Sequence, residues 1–135
     1  MSDHEGALQG ALIAWLKGDA VLAAMLGDPA RIWDLAPNGA AFPHLLMSRN
    51  ESRSVEADGC GIEHVLTLIC VSRFGGGEEA RAISAAVRAR LHDAALEADG
   101  VRTVSLRVTF ADVFRTPDAR RHHAVIRVRA VTEDI

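Results

Sequence analysis

The chain has 135 residues, enough for one compact domain that buries about two thirds of its unfolded surface without disulfide or metal staples. Hydrophobic residues make up 49% and charged residues 24%, a globular balance, and a formal net charge of −3 gives no general electrostatic pull toward nucleic acid or an anionic membrane. No apolar run approaches the roughly 20 residues of a membrane span. The opening Met1-Ser2-Asp3-His4-Glu5 lacks the basic stretch of a signal peptide, so the sequence reads as cytosolic.

The first element is helical, because Leu8, Leu12, Trp15 and Leu16 fall on one stripe at i, i+4, i+7 and i+8. Gly18 interrupts it. Asp19 is suited to cap a second short helix carrying Val21, Leu22, Met25 and Leu26, which Gly27 and Pro29 stop. Arg31-Ile32-Trp33 reads as a short strand, and the stretch from Leu35 to Pro43, with Pro37, Asn38-Gly39 and Pro43, reads as a loop. A strand is expected from His44 to Asn50. The polar, glycine-containing segment Glu51 to Ile62 has no apolar period and is expected to be a mobile excursion between two strands.

Glu63 to Arg73 is apolar on both faces, as a central strand would be, and Phe74-Gly75-Gly76-Gly77 ends it. Glu78 and Glu79 open a helix at its positive dipole end, with Ala80, Ile83, Val87 and Leu91 as its core stripe. After Asp99-Gly100 the period becomes two. Val104, Leu106, Val108 and Phe110 alternate with polar residues, Thr116-Pro117-Asp118-Ala119 turns, and Ala124, Ile126, Val128 and Ala130 return. The predicted fold is α+β, an antiparallel sheet of about four strands with helices packed on one face, in the order α-α-β-β-β-α-β-β over residues 1–135. Leu66, Leu68, Ile83, Val87, Leu91, Val104, Leu106, Val108, Ile126 and Val128 are the expected core.

The sequence offers little chemistry. The glycine run before Glu78 is not a phosphate loop, since it lacks a lysine and two carboxylates at the helix start would repel an anion. His122 and His123 are neighbours on a strand and point to opposite faces, so they do not chelate one ion, and no other cluster has metal-ligand spacing. Cys60 and Cys70 form neither a CxxC site nor a disulfide framework. No serine sits in an elbow motif. No catalytic residue, cofactor or metal is expected. The unusual feature is arginine: of 15 basic residues only Lys17 is lysine. Arg115, Arg120 and Arg121 gather at the hairpin turn, and Arg107, Arg127 and Arg129 lie on the outward face of its strands. Such a face is either solvated or a subunit interface, where arginine is enriched.

In order along the chain, three stretches resemble the tail-completion family, the tail terminators of siphophages and gene transfer agents. They are Ala7–Leu12 through Asp19–Leu22, Leu26-Gly27, Arg31-Ile32-Trp33 and Ala41-Phe42-Pro43-His44; then Glu63–Leu68, Ser72-Arg73 and Glu79 to His92; then Val108 to Asp118 and His122 to Ala130. The resemblance implies a non-enzymatic virion protein. Its subunits form a hexameric ring that caps the tail tube, stops its polymerisation and joins tail to head. The implied partners are further copies of the chain, the tail tube protein and a head-closure or connector protein, with no membrane and no specific nucleic acid. Assembly would occur in the bacterial cytoplasm before the protein enters the particle. The candidate subunit interface is Glu51, Glu56, Asp58, Arg107, Arg115, Arg120, Arg121, Arg127 and Arg129, in which the three acids would pair with Arg115, Arg120 and Arg121 of the turn across a heterologous contact. Other readings are a head-closure or minor tail protein, or a small ligand-binding or catalytic α+β domain.

Overall fold

A computed structural model of the chain describes residues 2–55, 61–73, 77–118 and 120–135. Among them the elements run α1 (His4–Lys17), α2 (Ala20–Leu26), β1 (Ile32–Trp33), β2 (His44–Ser54), β3 (Ile62–Ser72), α3 (Glu78–Leu91), β4 (Glu97–Ala98), β5 (Val101–Arg115) and β6 (His122–Asp134). Local chemistry sets the helix ends. The Asp3 carboxylate accepts from the Gly6 amide at 2.9 Å, and Asp19 accepts from Leu22 at 3.1 Å, each satisfying an amide that the first helical turn leaves unpaired. Gly27 leaves α2 at φ 91°, a conformation that costs other residues a steric clash, while its amide donates to Ala23 O. At the start of α3 the Glu79 carboxylate reaches back and accepts from Ser72 Oγ at 2.8 Å, tying helix to preceding strand.

The described strands form one sheet in the order β1-β2-β3-β6-β5-β4. Each of the four long strands is antiparallel to its neighbours, as expected, but the sheet has six strands rather than about four. Both additions are two-residue edge strands: β1 falls within the short strand read at Arg31-Ile32-Trp33, and β4 is too short for a period to register. β1 pairs parallel to β2 through Ile32 and Leu45. β4 is the first arm of a tight hairpin whose turn, Asp99-Gly100, has φ of 50° and 79°, the positive pair that matches the twist of a two-residue connection.

The helices cover one face of this sheet. Ile83, Val87 and Leu91 of α3 and Leu8, Leu12 and Leu16 of α1 pack with Leu66, Leu68, Ile126 and Val128 into a continuous core. α1 and α3 are clamped reciprocally: Trp15 Nε1 donates to Arg90 O at 2.9 Å, Arg90 Nε donates to Trp15 O at 3.0 Å, and the guanidinium lies 3.5 Å from the centre of the indole.

Two expectations need correction. Glu51 to Ile62 is not a loop throughout: β2 continues through Glu51 to Ser54, in register with Val65 to Ile62 of β3, and residues 56–60 lie outside the described residues. Backbone pairing carries this polar strand end, and Arg53 with Glu63 closes it at 2.6 Å. The segment lacks an apolar period because its side chains are mostly solvated. Second, Val104 is not core. It is 61% exposed, because a bulge at Val104 puts Thr103 opposite Thr132 and Ser105 opposite Val131. A further bulge at Thr109 shifts the facing again, so that Phe110 is outward and 43% exposed. The inward set of β5 is therefore Val101, Leu106, Val108 and Val113. The other expected core residues are buried, apart from Val108, which is half-buried against the core.

Candidate functional site

Because the helices pack on one face, the register determines what stands on the other. Across β2, β3, β6 and β5 the outward rows are His44, Val71, His123 and Phe114; then Leu46, Ile69, Val125 and Asp112; then Arg49, Thr67, Arg127 and Phe110; then Glu51, Val65, Arg129 and Arg107. Apolar side chains are thus interleaved with arginines on a sheet face that no described helix covers. The loop before β2 closes one end, where Phe42 stacks on His44 with ring centres 5.1 Å apart.

The arginines differ in what holds them. Arg129 places Nη2 2.6 Å and Nε 2.9 Å from Glu63 Oε2, while Arg53 donates to Glu63 Oε1 at 2.6 Å, so one carboxylate bridges β2 and β6. These two guanidiniums, Arg129 first, hold the Glu63 carboxyl below the usual carboxylate range. Arg127 lies 4.8 Å over the Phe110 ring. Glu51 is exposed and lies 3.4 Å from Arg49 on the same strand.

The hairpin turn is tightly built. Thr116 N donates to Arg121 O at 2.9 Å, and Asp118 accepts from Thr116 Oγ1 at 2.6 Å and from Arg120 N at 3.1 Å. Those bonds, the hydroxyl's first, lower the Asp118 carboxyl from its ordinary value. Within the turn Arg121 is committed: its guanidinium lies 4.3 Å over the Phe42 ring and donates to Arg120 O at 3.0 Å. Arg107, Arg115 and Arg120 are exposed and have no ion-pair partner among the described residues. Arg107, Arg127 and Arg129 thus share the open face and Arg121 reaches its end over Phe42, whereas Arg115 stands in register with His122 and Ser72, in the row that faces the helices. Glu51 shares the face, at the opposite end of the sheet from the turn, and Glu56 and Asp58 lie outside the described residues.

Sequence reasoning missed the aromatic part of this surface. Strict alternation from Val104 points Phe110 inward, whereas Phe110 and Phe114, at 43% and 38% exposure, stand opposite Arg127 and His123 on the open side. It also missed Arg53 and Glu63, whose cross-strand pairing becomes legible once β2 is known to reach Ser54.

Elsewhere the chemistry is sparse. Burial, with Glu79 adding to it, pushes the Cys70 thiol up to about 12, so it stays protonated and unreactive near neutrality. Among the described residues no group of three His, Cys, Asp or Glu side chains has the geometry to hold a metal ion. A groove of about 500 Å³ beside α1 is lined by Gly10, Ala11, Ala14 and Trp15 against residues 95–98, with Glu97 its sole ionisable group.

The model of the family described as Tail completion protein gp17 matches residues 10–133. A solved chain from the virion of a native gene transfer agent particle is 27% identical, with a TM-score of 0.87, over 98% of this chain and 99% of its own. A second solved chain, 18% identical over 96% of this chain and 93% of its own, has a TM-score of 0.55 and shares the fold. No curated protein matches.

Proposed function

The chain belongs to the tail-completion family, and from that premise we propose that it is a tail terminator, a structural subunit acting without catalysis. As one domain spanning residues 1–135, it forms a hexameric ring on the head-proximal end of the tail tube. There it stops tube polymerisation and provides the joint to the head. Its partners are its own copies, the tube protein and a head-closure or connector protein, met in the cytoplasm of the producing cell and retained in the finished particle. The observation that carries this reading is the end-to-end match, at 27% identity and a TM-score of 0.87, to a chain of a gene transfer agent virion.

Glu51, Glu56, Asp58, Arg107, Arg115, Arg120, Arg121, Arg127 and Arg129 are proposed as contact residues. A ring of identical subunits makes heterologous contacts, in which one patch meets a different patch on the neighbour. The open face supports this role, since half-exposed apolar groups ringed by arginines have the composition of a surface buried on assembly. Single exposed ion pairs contribute under about 1 kcal/mol, so closure depends on several such contacts repeated around the ring.

The test is charge reversal where the fold does not depend on the charge. Arg115 and Arg120 meet that condition, whereas Arg121 is held against Phe42. Arg115→Glu with Arg120→Glu should melt as the unaltered chain does, yet yield tails of uncontrolled length or unjoined heads in producing cells that lack the native copy. Normal particles from the double variant would remove the turn from the interface. A head-proximal ring of other than sixfold symmetry, seen by electron microscopy, would overturn the hexamer.

A further inference from the structure

Between the first turn of α1 and the end of the sheet lies a chain of polar groups in an otherwise apolar interior. His4, His64 and Thr132 are 7%, 0% and 0% exposed. Thr132 Oγ1 is 2.7 Å from His4 Nδ1 and 2.8 Å from His64 Nε2, and His4 Nε2 is 3.2 Å from Asp134 Oδ1. His64 Nδ1 is buried and has no hydrogen-bond partner among the described residues.

A hydroxyl carries one proton, so this chain has a direction. Suppose Thr132 donated to His64. Then the neutral His64 would carry its proton on Nδ1, a buried donor with no acceptor, and His4 would present a bare nitrogen lone pair to the Asp134 carboxylate. In the opposite sense both faults vanish: His64 Nε2–H donates to Thr132, Thr132 O–H donates to His4 Nδ1, and His4 Nε2–H donates to Asp134. Only a lone pair on His64 Nδ1 then goes without a partner. A lone pair left unmatched costs less than a buried N–H or charge left unmatched.

We propose that His64, Thr132 and His4 form a proton-sensitive latch, which pins the first turn of α1 to the end of β6 at neutral pH and releases it in acid. A proton added to His64 must go to Nδ1, where it creates a buried charge and a donor with nothing to accept it. The titratable groups that face this ring are Glu5 and His4 from α1 and Asp134 beyond the hydroxyl on β6, while β2 presents the neutral Asn50 and Ser52. Burial is the largest influence and holds the ring below the usual imidazole range; Glu5 opposes it and His4 adds to it. Opening returns the ring to water and to a value of about 6.5, so the open form takes up a proton that the closed form refuses. The latch is therefore complete above about pH 6.5 and weakens as pH falls below it, by at most about tenfold per unit for one proton. Ser52 Oγ donates to the Glu5 carboxylate and Asn50 Nδ2 to Glu5 O, so release of the turn also parts these two β2 side chains from α1.

The test is amide hydrogen exchange at Ala7 to Gly10 at pH 7.5 and 5.0, corrected for intrinsic rates, with α3 as the reference within the molecule. The expected result is a loss of protection at Ala7–Gly10, relative to α3, of up to about 30-fold at pH 5.0 for one proton. In His64→Phe the loss should flatten, and in the wild type the His64 ring should titrate by NMR below about 6.5. Equal loss in α3, no loss at all, or an ordinary His64 titration would each overturn the latch. The wild-type measurements decide the matter even where His64→Phe does not fold.

Discussion

The Trp15–Arg90 clamp allows a stability effect to be worked out from geometry. Replacing Arg90 by alanine removes a guanidinium that stacks 3.5 Å from the indole centre and donates to Trp15 O at 3.0 Å, while the bond from Trp15 Nε1 to the residue 90 carbonyl can persist. A partly desolvated cation–π contact contributes about 1 kcal/mol, and a hydrogen bond from a charged group about 1.5 kcal/mol. Trp15 O belongs to the last turn of α1, where carbonyls lack an intrahelical partner, so losing its donor leaves it to be satisfied by water. Together these give a destabilisation of about 2–3 kcal/mol. For 135 residues the entropy of unfolding near 60 °C is about 0.28 kcal/mol per degree, so Tm should fall by about 7–10 °C. The control is Arg88→Ala on the exposed side of the same helix, expected within about 0.5 kcal/mol of the unaltered chain. Arg90→Lys keeps the charge but loses the planar stack and the fixed Nε–H, and should fall between the two. Thermal unfolding followed by circular dichroism measures all three. Arg90→Ala melting within about 2 °C of Arg88→Ala would mean that the clamp contributes nothing beyond ordinary surface contact.

Leu68→Ala and Val87→Ala empty positions that are fully buried on opposite sides of the sheet–helix contact, and each should cost about 2–4 kcal/mol in denaturant unfolding. Val104→Thr, at an outward bulge position, should change stability by less than about 0.5 kcal/mol; a core-sized loss there would mean that β5 does not bulge at that residue.

Where one physical signal dominates, the sequence was a sufficient guide. The 3.6-residue stripes of Leu8–Leu16 and Ile83–Leu91, the caps at Asp19 and Gly27, and the long apolar run of β3 all fall where their residues indicate. Two-residue strands carry no period, so β4 could not be read even though the Asp99-Gly100 turn that makes it could. The far half of β2 is exposed on its edge and polar on both faces; what makes it a strand is the partner it pairs with, which local composition does not record. Likewise Arg90 was visible as a helix residue, but not as a clamp, because its indole lies 75 positions away. The outward facing of Arg127 and Arg129 was legible from strand alternation. That Arg121 is held by Phe42, and Arg129 by Glu63, required the fold.

The two bulges in β5 explain why strict alternation misplaces Phe110. A strand that kept strict alternation from Val104 would point Phe110, Asp112 and Phe114 to one face, with Phe110 in the core. The extra residues at Val104 and Thr109 change the facing twice. Inward positions then run through Leu106 and Val108 and onward to Val113, while Phe110 and Phe114 join Arg127 and His123 on the open side. The two changes cancel beyond Thr109, so the residues they re-aim are Ser105 to Val108: Leu106 and Val108 turn to the core and Arg107 to the open face, while Phe110 and Phe114 stand where unbroken alternation from Val101 would place them. Within a lone subunit the bulges thus bury Leu106, while both aromatics remain more than a third exposed. Across a ring contact they would supply the apolar anchors that arginines alone cannot, each with a cation or imidazole already against its ring.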